Sequence, residues 1–160
     1  MADWKRRDHL HKLCASKYLQ ELKSFLKDEP EKELLINMPC SGLSGNTSLH
    51  EAVRLNNHNA LQVLLSYGGN VDAQAKGGYT PLHISAVLGY MECIKVLLKF
   101  SADTSLADNF GNTPYKLAKQ TRKNRAARHL KTEELKLIVI QNKQEPEEFK
   151  ALRENLDALH

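Results

Sequence analysis

The chain has 160 residues, of which 41% are hydrophobic and 26% are charged, and its formal net charge at neutral pH is +4. This composition fits one domain with a core and excludes a chain that is disordered throughout. No apolar run approaches the ~20 residues of a membrane-spanning helix, and we see no leader sequence, so we expect no membrane segment.

Three cysteines, Cys14, Cys40 and Cys93, form no close pair. They favour a reducing compartment, which we expect to be the cytoplasm, the nucleus or both.

A period of 33 residues organises the sequence. The positions that recur are three threonines, the glycines two residues before them and three later leucines: Thr47, Thr80, Thr113, Gly45, Gly78, Gly111, Leu64, Leu97 and Leu130. Such a period is typical of a solenoid, in which small units stack because none of them can bury its apolar face alone.

Residues 1–44 are interpreted as a degenerate N-terminal capping unit. Aligning His11 with His50 reproduces the apolar spacing of the later units, although the two histidines are 39 residues apart, six more than the period. We place the excess in Lys27 to Ser44, where Pro30 stops a helix and the following turn is lengthened. An atypical end unit is expected because one of its faces meets water.

The units at 45–77 and 78–110 are well formed. Each carries two apolar stripes with helical spacing, which predicts two helices. Gly89 is predicted to end the first helix of the third unit in the left-handed conformation, and Asn56 takes the same place in the second unit.

One stretch carries a family resemblance: Thr80-Pro81-Leu82-His83, then Ser85-Ala86, Gly89, Val96-Leu97-Leu98 and Ala102-Asp103. It closely resembles the ankyrin repeat. Thr80 suits the N-cap and Pro81 the first helical position, where its locked φ is favourable and its missing N–H costs nothing. The resemblance covers about residues 8–130. It implies an all-α solenoid of about four stacked helix-turn-helix units with short β-turn fingers.

The resemblance also implies roles for the repeated histidines. In the ankyrin family the threonine and histidine of this tetrapeptide hydrogen-bond to each other and to adjoining backbone. His50 and His83 are therefore interpreted as structural residues rather than as metal ligands or catalytic groups.

Residues 111–131 are predicted to be a C-terminal capping repeat, in which Tyr115-Lys116 replaces the expected Leu-His. Residues 132–160 are predicted to be a helical extension. Thr132 is a candidate N-cap for a new helix that covers the open face of the fourth unit. The run Leu135 to Ile140 also fits a strand, but we favour a helix.

A last amphipathic segment begins at Pro146. Its apolar stripe consists of Phe149, Leu152, Leu156 and Leu159. We expect this stripe to fold back onto its own domain, and the alternative is that it binds a partner.

No motif for catalysis is present. The sequence has no glycine-rich phosphate loop, nucleophile elbow, paired-cysteine zinc motif or His-Glu-x-x-His. The side chains of His9, His11 and Cys14 could ligate a metal, but this is a weak signal because the sequence has no second group of ligands to complete the site. We therefore expect no enzyme activity, no cofactor and no metal.

A binding surface is implied by the resemblance. Similar proteins hold a ligand on the concave side, made of the finger tips and the outward positions of each first helix. The partner-binding residues this implies are Leu43, Asn46, Arg54, Lys76, Tyr79, Leu88, Phe110 and Asn112. Aromatic and arginine side chains most often dominate interface energy. The alternative for Phe110 and Leu88 is that they pack against the next repeat.

The run 116–131 contains seven Lys or Arg and no acid, whereas 145–157 contains five acids and two bases. The candidate basic surface consists of Lys119, Arg122, Lys123, Arg125 and Arg128. It is either a solvated helix face or a site for an acidic partner or nucleic acid. Stacking of single-stranded bases is disfavoured because Tyr115 is the only aromatic residue in the run.

Together with these patterns, the resemblance implies a monomeric, non-catalytic protein-protein interaction module, an adaptor, scaffold or inhibitor, that binds another protein through its concave face and turn tips. One alternative is a nuclear or chromatin-associated module that uses the basic run 116–131. The other alternative is the N-terminal targeting domain of a larger protein.

Overall fold

The computed structural model describes residues 3–15, 19–40 and 44–143, and within these ranges the regular structure is helical. The helices are α1 (Asp3–Ala15), α2 (Leu19–Asp28), α3 (Lys32–Asn37), α4 (Ser48–Arg54), α5 (His58–Ser66), α6 (Pro81–Leu88), α7 (Met91–Lys99), α8 (Pro114–Gln120) and α9 (Asn124–Lys143). The expected all-α solenoid is confirmed.

The helices form two layers. The first helix of each unit contacts the first helix of the next, in the order α1, α4, α6 and α8, and the second helices α2, α5, α7 and α9 do the same. The core lies between these layers, where Leu64, Leu97 and Leu130, one period apart, are fully buried. No unit could bury these leucines alone, so stacking supplies the core.

The boundaries of α6 follow from local chemistry. Thr80 Oγ1 accepts a hydrogen bond from the amide of His83, and Pro81 occupies the first turn. Gly89 ends the helix with φ 74°, a conformation that L-residues with a Cβ adopt only at a cost. Asn56 has φ 52° at the equivalent position after α4. The predicted caps and terminators are confirmed.

The connection between the first two units contains a helix that the sequence analysis did not anticipate. As predicted, α2 ends at Asp28, just before Pro30. The chain then forms α3 instead of a long turn. This helix buries Leu35 and Ile36 and contacts both α1 and α4. α3 packs at the junction of the first two units, where Ile36 lies next to Gly69 and the side-chain amide of Asn37 donates to the carbonyl of Gly68 (3.0 Å).

The prediction that Thr132 caps a new helix is wrong. α9 runs from Asn124 to Lys143 without interruption, and Thr132 Oγ1 donates to the carbonyl of Arg128 (2.9 Å) inside the helix. The stretch contains no Gly or Pro that would break it. The strand alternative for 135–140 is also wrong. The amphipathic segment that begins at Pro146 lies outside the described residues.

The C-terminal half of α9 does not close the fourth unit as expected. Leu135, Leu137, Ile138 and Ile140 are each about half exposed. α7 ends at Lys99, which corresponds to Thr132 one period later, so α9 continues eleven residues past that point.

Candidate functional site

The fingers are short hairpins that precede the first helix of each unit and are joined edge to edge. The second finger includes Ser44 and Asn46, the third spans 75–79 and the fourth spans 108–112. Within the third finger the amide of Ala75 donates to the carbonyl of Tyr79 (2.9 Å), and Asp108 donates to Asn112 in the fourth finger (2.9 Å). Between fingers, Lys76 N–H donates to the carbonyl of Ser44 (2.8 Å). This continuous backbone ladder gives the fingers a fixed spacing.

Gly78 permits the close approach of the fourth finger to the third. Its φ is 77°, and a Cβ at this position would lie 2.6 Å from Oδ1 and 2.8 Å from the amide nitrogen of Asn109. On the same edge the amide of Asn109 donates to the carbonyl of Gly77 (2.9 Å). The glycine two residues before the threonine of the tetrapeptide motif is thus required by packing between fingers.

Buried histidines fasten each first helix to the finger of the next unit. The amide of Thr80 donates to Nδ1 of His83 (3.2 Å), so the ring proton is assigned to Nε2, which donates to the carbonyl of Asn112 (3.0 Å). His50 does the same with the amide of Thr47 (3.1 Å) and the carbonyl of Tyr79 (3.0 Å). Both histidines are fully buried. These contacts support the structural role that the resemblance implied.

Burial lowers the pKa of both histidines below the usual 6.5. The geometry acts in the same direction. A proton on Nδ1 of His83 would face the amide hydrogen of Thr80, which already occupies that lone pair. His50 and His83 are therefore neutral at physiological pH and serve as hydrogen-bonding clasps rather than as acids or bases.

The end units replace this clasp with other contacts. In the first unit, Nε2 of His11 lies 3.1 Å from Sγ of Cys40, 29 residues later, the same separation as His83 and Asn112. In the fourth unit, Lys116 stands at the histidine position and its Nζ donates to the carbonyl of Gly111 (3.0 Å). Lys116 is exposed and holds its own finger rather than a later one.

The three cysteines are free thiols. Cys14 and Cys93 are fully buried, as predicted. Burial raises the pKa of Cys14 to about 12 and that of Cys40 to about 11, so both thiols are protonated at neutral pH. Within the described residues, no three His, Cys, Asp or Glu side chains are grouped to hold a metal ion.

A groove of about 630 Å³, which we call the finger groove, is bordered by the second and third fingers and by α4 and α6. Five of the eight predicted partner-binding residues line it: Asn46, Arg54, Lys76, Tyr79 and Leu88. Their positions span 43 residues of sequence, and the stacking of two units brings them together.

The finger groove combines apolar walls with a basic rim. Val87 and Leu88 of α6 contribute apolar surface beside the ring of Tyr79. Lys76 is exposed at the rim. Arg54 is also exposed, and its Nε pairs with Glu51 Oε2 (3.2 Å). The groove can accept an apolar side chain together with a neighbouring acidic group.

Glu51 organises one wall of the finger groove. Its carboxylate accepts hydrogen bonds from Nδ2 of Asn46 (2.9 Å) and from Nε of Arg54 (3.2 Å). Partial burial opposes ionisation, but these two hydrogen bonds prevail and lower the pKa of Glu51. The carboxylate therefore holds Asn46 and Arg54 in place at neutral pH.

Three predicted partner-binding residues are not part of the finger groove. Phe110 lies on the fourth finger and is 77% exposed, so it is not packed against a neighbouring repeat. The side-chain amide of Asn112 donates to the carboxylate of Asp108 (3.3 Å), and its oxygen accepts from Gln120 (3.4 Å). Leu43 lies outside the described residues.

Five residues that line the finger groove are not among the eight predicted ones: Ser44, Ala75, Ile84, Val87 and Tyr90. Two of them directly follow motif residues, Ile84 after His83 and Tyr90 after Gly89. An apolar or aromatic residue beside a structural motif residue was the available signal.

A second groove of about 330 Å³, which we call the basic groove, lies between α7 and α9. It gathers Lys95, Arg125, Arg128 and His129. Lys95 and Arg128 are one period apart, so the repeat itself could have shown that they lie side by side.

Only part of the predicted basic surface belongs to the basic groove. Arg125 and Arg128 line it. The side chain of Lys123 lies against Gly89, with its Cδ 3.0 Å from where a Cβ would be. Lys119 and Arg122 are exposed and line neither groove. The five residues therefore do not form one continuous basic surface.

None of the helices that the structure describes is both long enough and apolar enough to cross a membrane. No curated protein matches the chain. A family model described as ankyrin repeats, in three copies, matches residues 49–137, which is more than half of the sequence. Ankyrin repeats generally mediate protein-protein interactions and are typically non-enzymatic. The period, the capped helices, the fingers and this match establish that the chain belongs to the ankyrin repeat family.

Proposed function

We propose that this chain is a non-catalytic protein-binding module, acting as an adaptor, scaffold or inhibitor, that holds a segment of a partner protein in the finger groove. One observation carries the proposal. Side chains from two successive units, Arg54, Lys76, Tyr79 and Leu88 among them, line one groove of about 630 Å³. This volume is within the range of ligand-binding clefts.

The framework around the finger groove is fixed before a partner arrives. The clasp from His50 to the Tyr79 carbonyl (3.0 Å) holds the third finger to α4, and the Lys76 amide holds it to the second finger (2.8 Å). A surface that is already ordered loses little conformational entropy on binding, so more of the contact energy appears as affinity.

The lining of the finger groove specifies the chemistry of the partner. An apolar or aromatic side chain fits between Tyr79 and the apolar surface of Val87 and Leu88. An acidic side chain next to it would meet the ammonium group of Lys76, because the carboxylate of Glu51 already engages Arg54. The partner segment we infer therefore carries an acidic residue beside an apolar one.

A peptide selection tests this proposal. Phage-displayed random peptides are selected on the full chain, and the dissociation constants of the selected peptides are measured by fluorescence anisotropy. We expect an acidic residue next to an apolar one in the selected sequences. Leu88→Asp should weaken binding by about tenfold or more, because a charge would enter an apolar contact.

The matched control is Leu55→Asp. Leu55 lies one period before Leu88 and is comparably exposed, but it lines a different pocket beside Leu19. This substitution should leave the affinity unchanged. A library that yields no binder, or binders that are equally affected by both substitutions, would contradict the proposal.

The basic groove supports a second candidate function, the binding of an acidic partner or nucleic acid. This groove brings together Lys95, Arg125 and Arg128. Basic residues that merely cover a solvated helix would be scattered instead. Binding of duplex DNA or of a polyglutamate peptide is measured at several salt concentrations. Arg125→Glu with Arg128→Glu should weaken binding and reduce the salt dependence by about two charges. Lys119→Glu with Arg122→Glu is the control pair. An equal loss of affinity in both double variants would exclude the basic groove as the binding site.

A further inference from the structure

The end of α9 presents apolar surface that lacks a visible cover. Leu135, Leu137, Ile138 and Ile140 are 48–54% exposed. The sequence from 137 to 140 is Leu-Ile-Val-Ile, so one turn of α9 consists of apolar residues. A helix that is apolar all round is normally buried.

On one side of this surface lies a groove of about 620 Å³, which we call the C-terminal groove. Leu137 and Ile138 of α9 form one wall, and Tyr115 and Lys116 of α8 form the other. The loop at 103–105 closes one end.

Comparison with the earlier units shows what this groove lacks. Tyr115 takes the position of Leu49 and Leu82, both fully buried, whereas Tyr115 is only half-buried. In the second unit the chain turns back after α5 and passes beneath Leu49. A Cβ at Gly69 would lie 2.7 Å from Cδ1 of that leucine.

The turn itself recurs in the third unit and is missing in the fourth. The amide of Gly69 donates to the carbonyl of Leu64 (3.0 Å), and the amide of Ala102 donates to that of Leu97 (3.1 Å). After Leu130 the chain continues as helix instead. The C-terminal groove therefore corresponds to the space that the returning segment fills beneath Leu49 in the second unit.

We propose that residues 146–159 turn back along α9 and fill the C-terminal groove, with Phe149, Leu152 and Leu156 against Tyr115, Leu137 and Ile138. The length suits this path. Fourteen helical residues span about 21 Å, and the distance along α9 from Lys143 back to Lys131 is about 18 Å. Pro146 suits a first helical position, and the two glutamates after it suit a first turn.

The groove lining is balanced in charge, with Lys116 and Lys131 beside Asp103 and Glu134, but the overall charge of α9 and the tether favour this occupant over a second copy of the chain. α9 carries five Lys or Arg and two Glu, a formal charge of +3, whereas residues 144–160 carry five acids and two Lys or Arg, a formal charge of −3. Two α9 helices from two copies would bring like charges together. The segment is also tethered next to the groove, which gives it an effective concentration of about millimolar.

Hydrogen exchange of the full chain, followed by mass spectrometry, tests the proposal. Peptides within 146–159 should exchange about tenfold or more slowly than an unfolded chain. Leu137→Asp, which places a charge in the C-terminal groove, should abolish that protection. Leu135→Asp is the matched control, because Leu135 is equally exposed but lines a different pocket with Ile140. It should leave the protection unchanged.

Light scattering on the same samples completes the test. The expected result is a monomer for the wild type and for both variants, with protection of 146–159 lost only in Leu137→Asp. A dimer that Leu137→Asp dissociates would show that a second copy covers the groove and would overturn the proposal. A monomer whose 146–159 segment exchanges at the rate of an unfolded chain would also overturn it, leaving the groove to a foreign partner.

Discussion

The third and fourth units share one period but are held in different ways. In the third unit a buried histidine, His83, binds the finger of the next unit, and the chain turns back after α7. In the fourth unit an exposed lysine, Lys116, binds its own finger, and α9 runs on. A unit inside the stack needs a clasp that reaches forward. The last one has no later finger to hold, so the same position is free for a solvated residue.

The largest effect is expected from the shared core. Leu97→Ala should lower the free energy of unfolding by about 2–5 kcal/mol, because it leaves a cavity between the two helix layers. Leu97 is fully buried. Urea denaturation measures this change. The control is Leu135→Ala in the exposed part of α9, which should cost less than about 1 kcal/mol. Similar losses in the two variants would refute a core placed between the layers.

The clasp itself is tested next. His83→Ala removes the partner of the Asn112 carbonyl and of the Thr80 amide; Thr80 is fully buried and Asn112 is partly buried. We expect a loss of about 1–3 kcal/mol for groups left without hydrogen bonds. Lys116→Ala, at the equivalent exposed position, should change stability by less than about 0.5 kcal/mol. If the two substitutions cost the same in urea denaturation, the distinction between inner and terminal units fails.

The residue that ends each first helix in the left-handed conformation allows a further comparison of the third and fourth units. Asn56, Gly89 and Arg122 lie one period apart, with φ values of 52°, 74° and 57°. Gly89→Ala should destabilise the fold by about 1–2 kcal/mol, because a Cβ is disfavoured in this conformation. Arg122→Gly should stabilise it by a smaller amount, below about 1 kcal/mol, because it relieves the same strain at some cost in entropy. Thermal melts of both variants measure these changes. A lower melting temperature for Arg122→Gly would contradict the interpretation that Arg122 is strained in this conformation.

The smallest expected change is a gradual dependence of stability on pH. The folded-state pKa of His50 and His83 lies below the usual 6.5, so the unfolded chain binds protons first as the pH falls. Stability is therefore complete above pH 6.5 and decreases as the pH falls from 6.5 toward the lowered values. The double variant His50→Gln and His83→Gln should flatten this part of the profile. The free energy of unfolding is measured by urea denaturation between pH 7 and 5. If its dependence on pH is the same in the double variant as in the wild type, the histidines are not the source of that dependence.

The sequence was most informative where one residue has one physical task. Thr80, Pro81 and Gly89 are placed by cap chemistry and backbone geometry, and the structure confirms all three. α3 was missed because Leu34-Leu35-Ile36 is too short a run to show helical spacing, and its burial depends on contacts with α1, α4 and the turn at Gly69 that no local pattern shows. A break at Thr132 was expected from a local cap signal, but continuing α9 satisfies the backbone equally well.

The finger groove could be predicted only in part. The repeat register identified Arg54, Tyr79 and Leu88, since each stands at a known place in its unit. Whether such positions share one surface depends on how fingers and helices tilt, and no local pattern encodes this. Phe110 was chosen with them for its aromatic ring, but it belongs to the next finger and lies outside the groove.

The most direct test is to map the strongest selected peptide on the isotopically labelled full chain by amide chemical-shift changes. If the finger groove is the partner site, the largest changes fall at residues 76–79 and 84–90, and Leu88→Asp removes them. Largest changes at 125–132 would assign binding to the basic groove instead and contradict the proposed function.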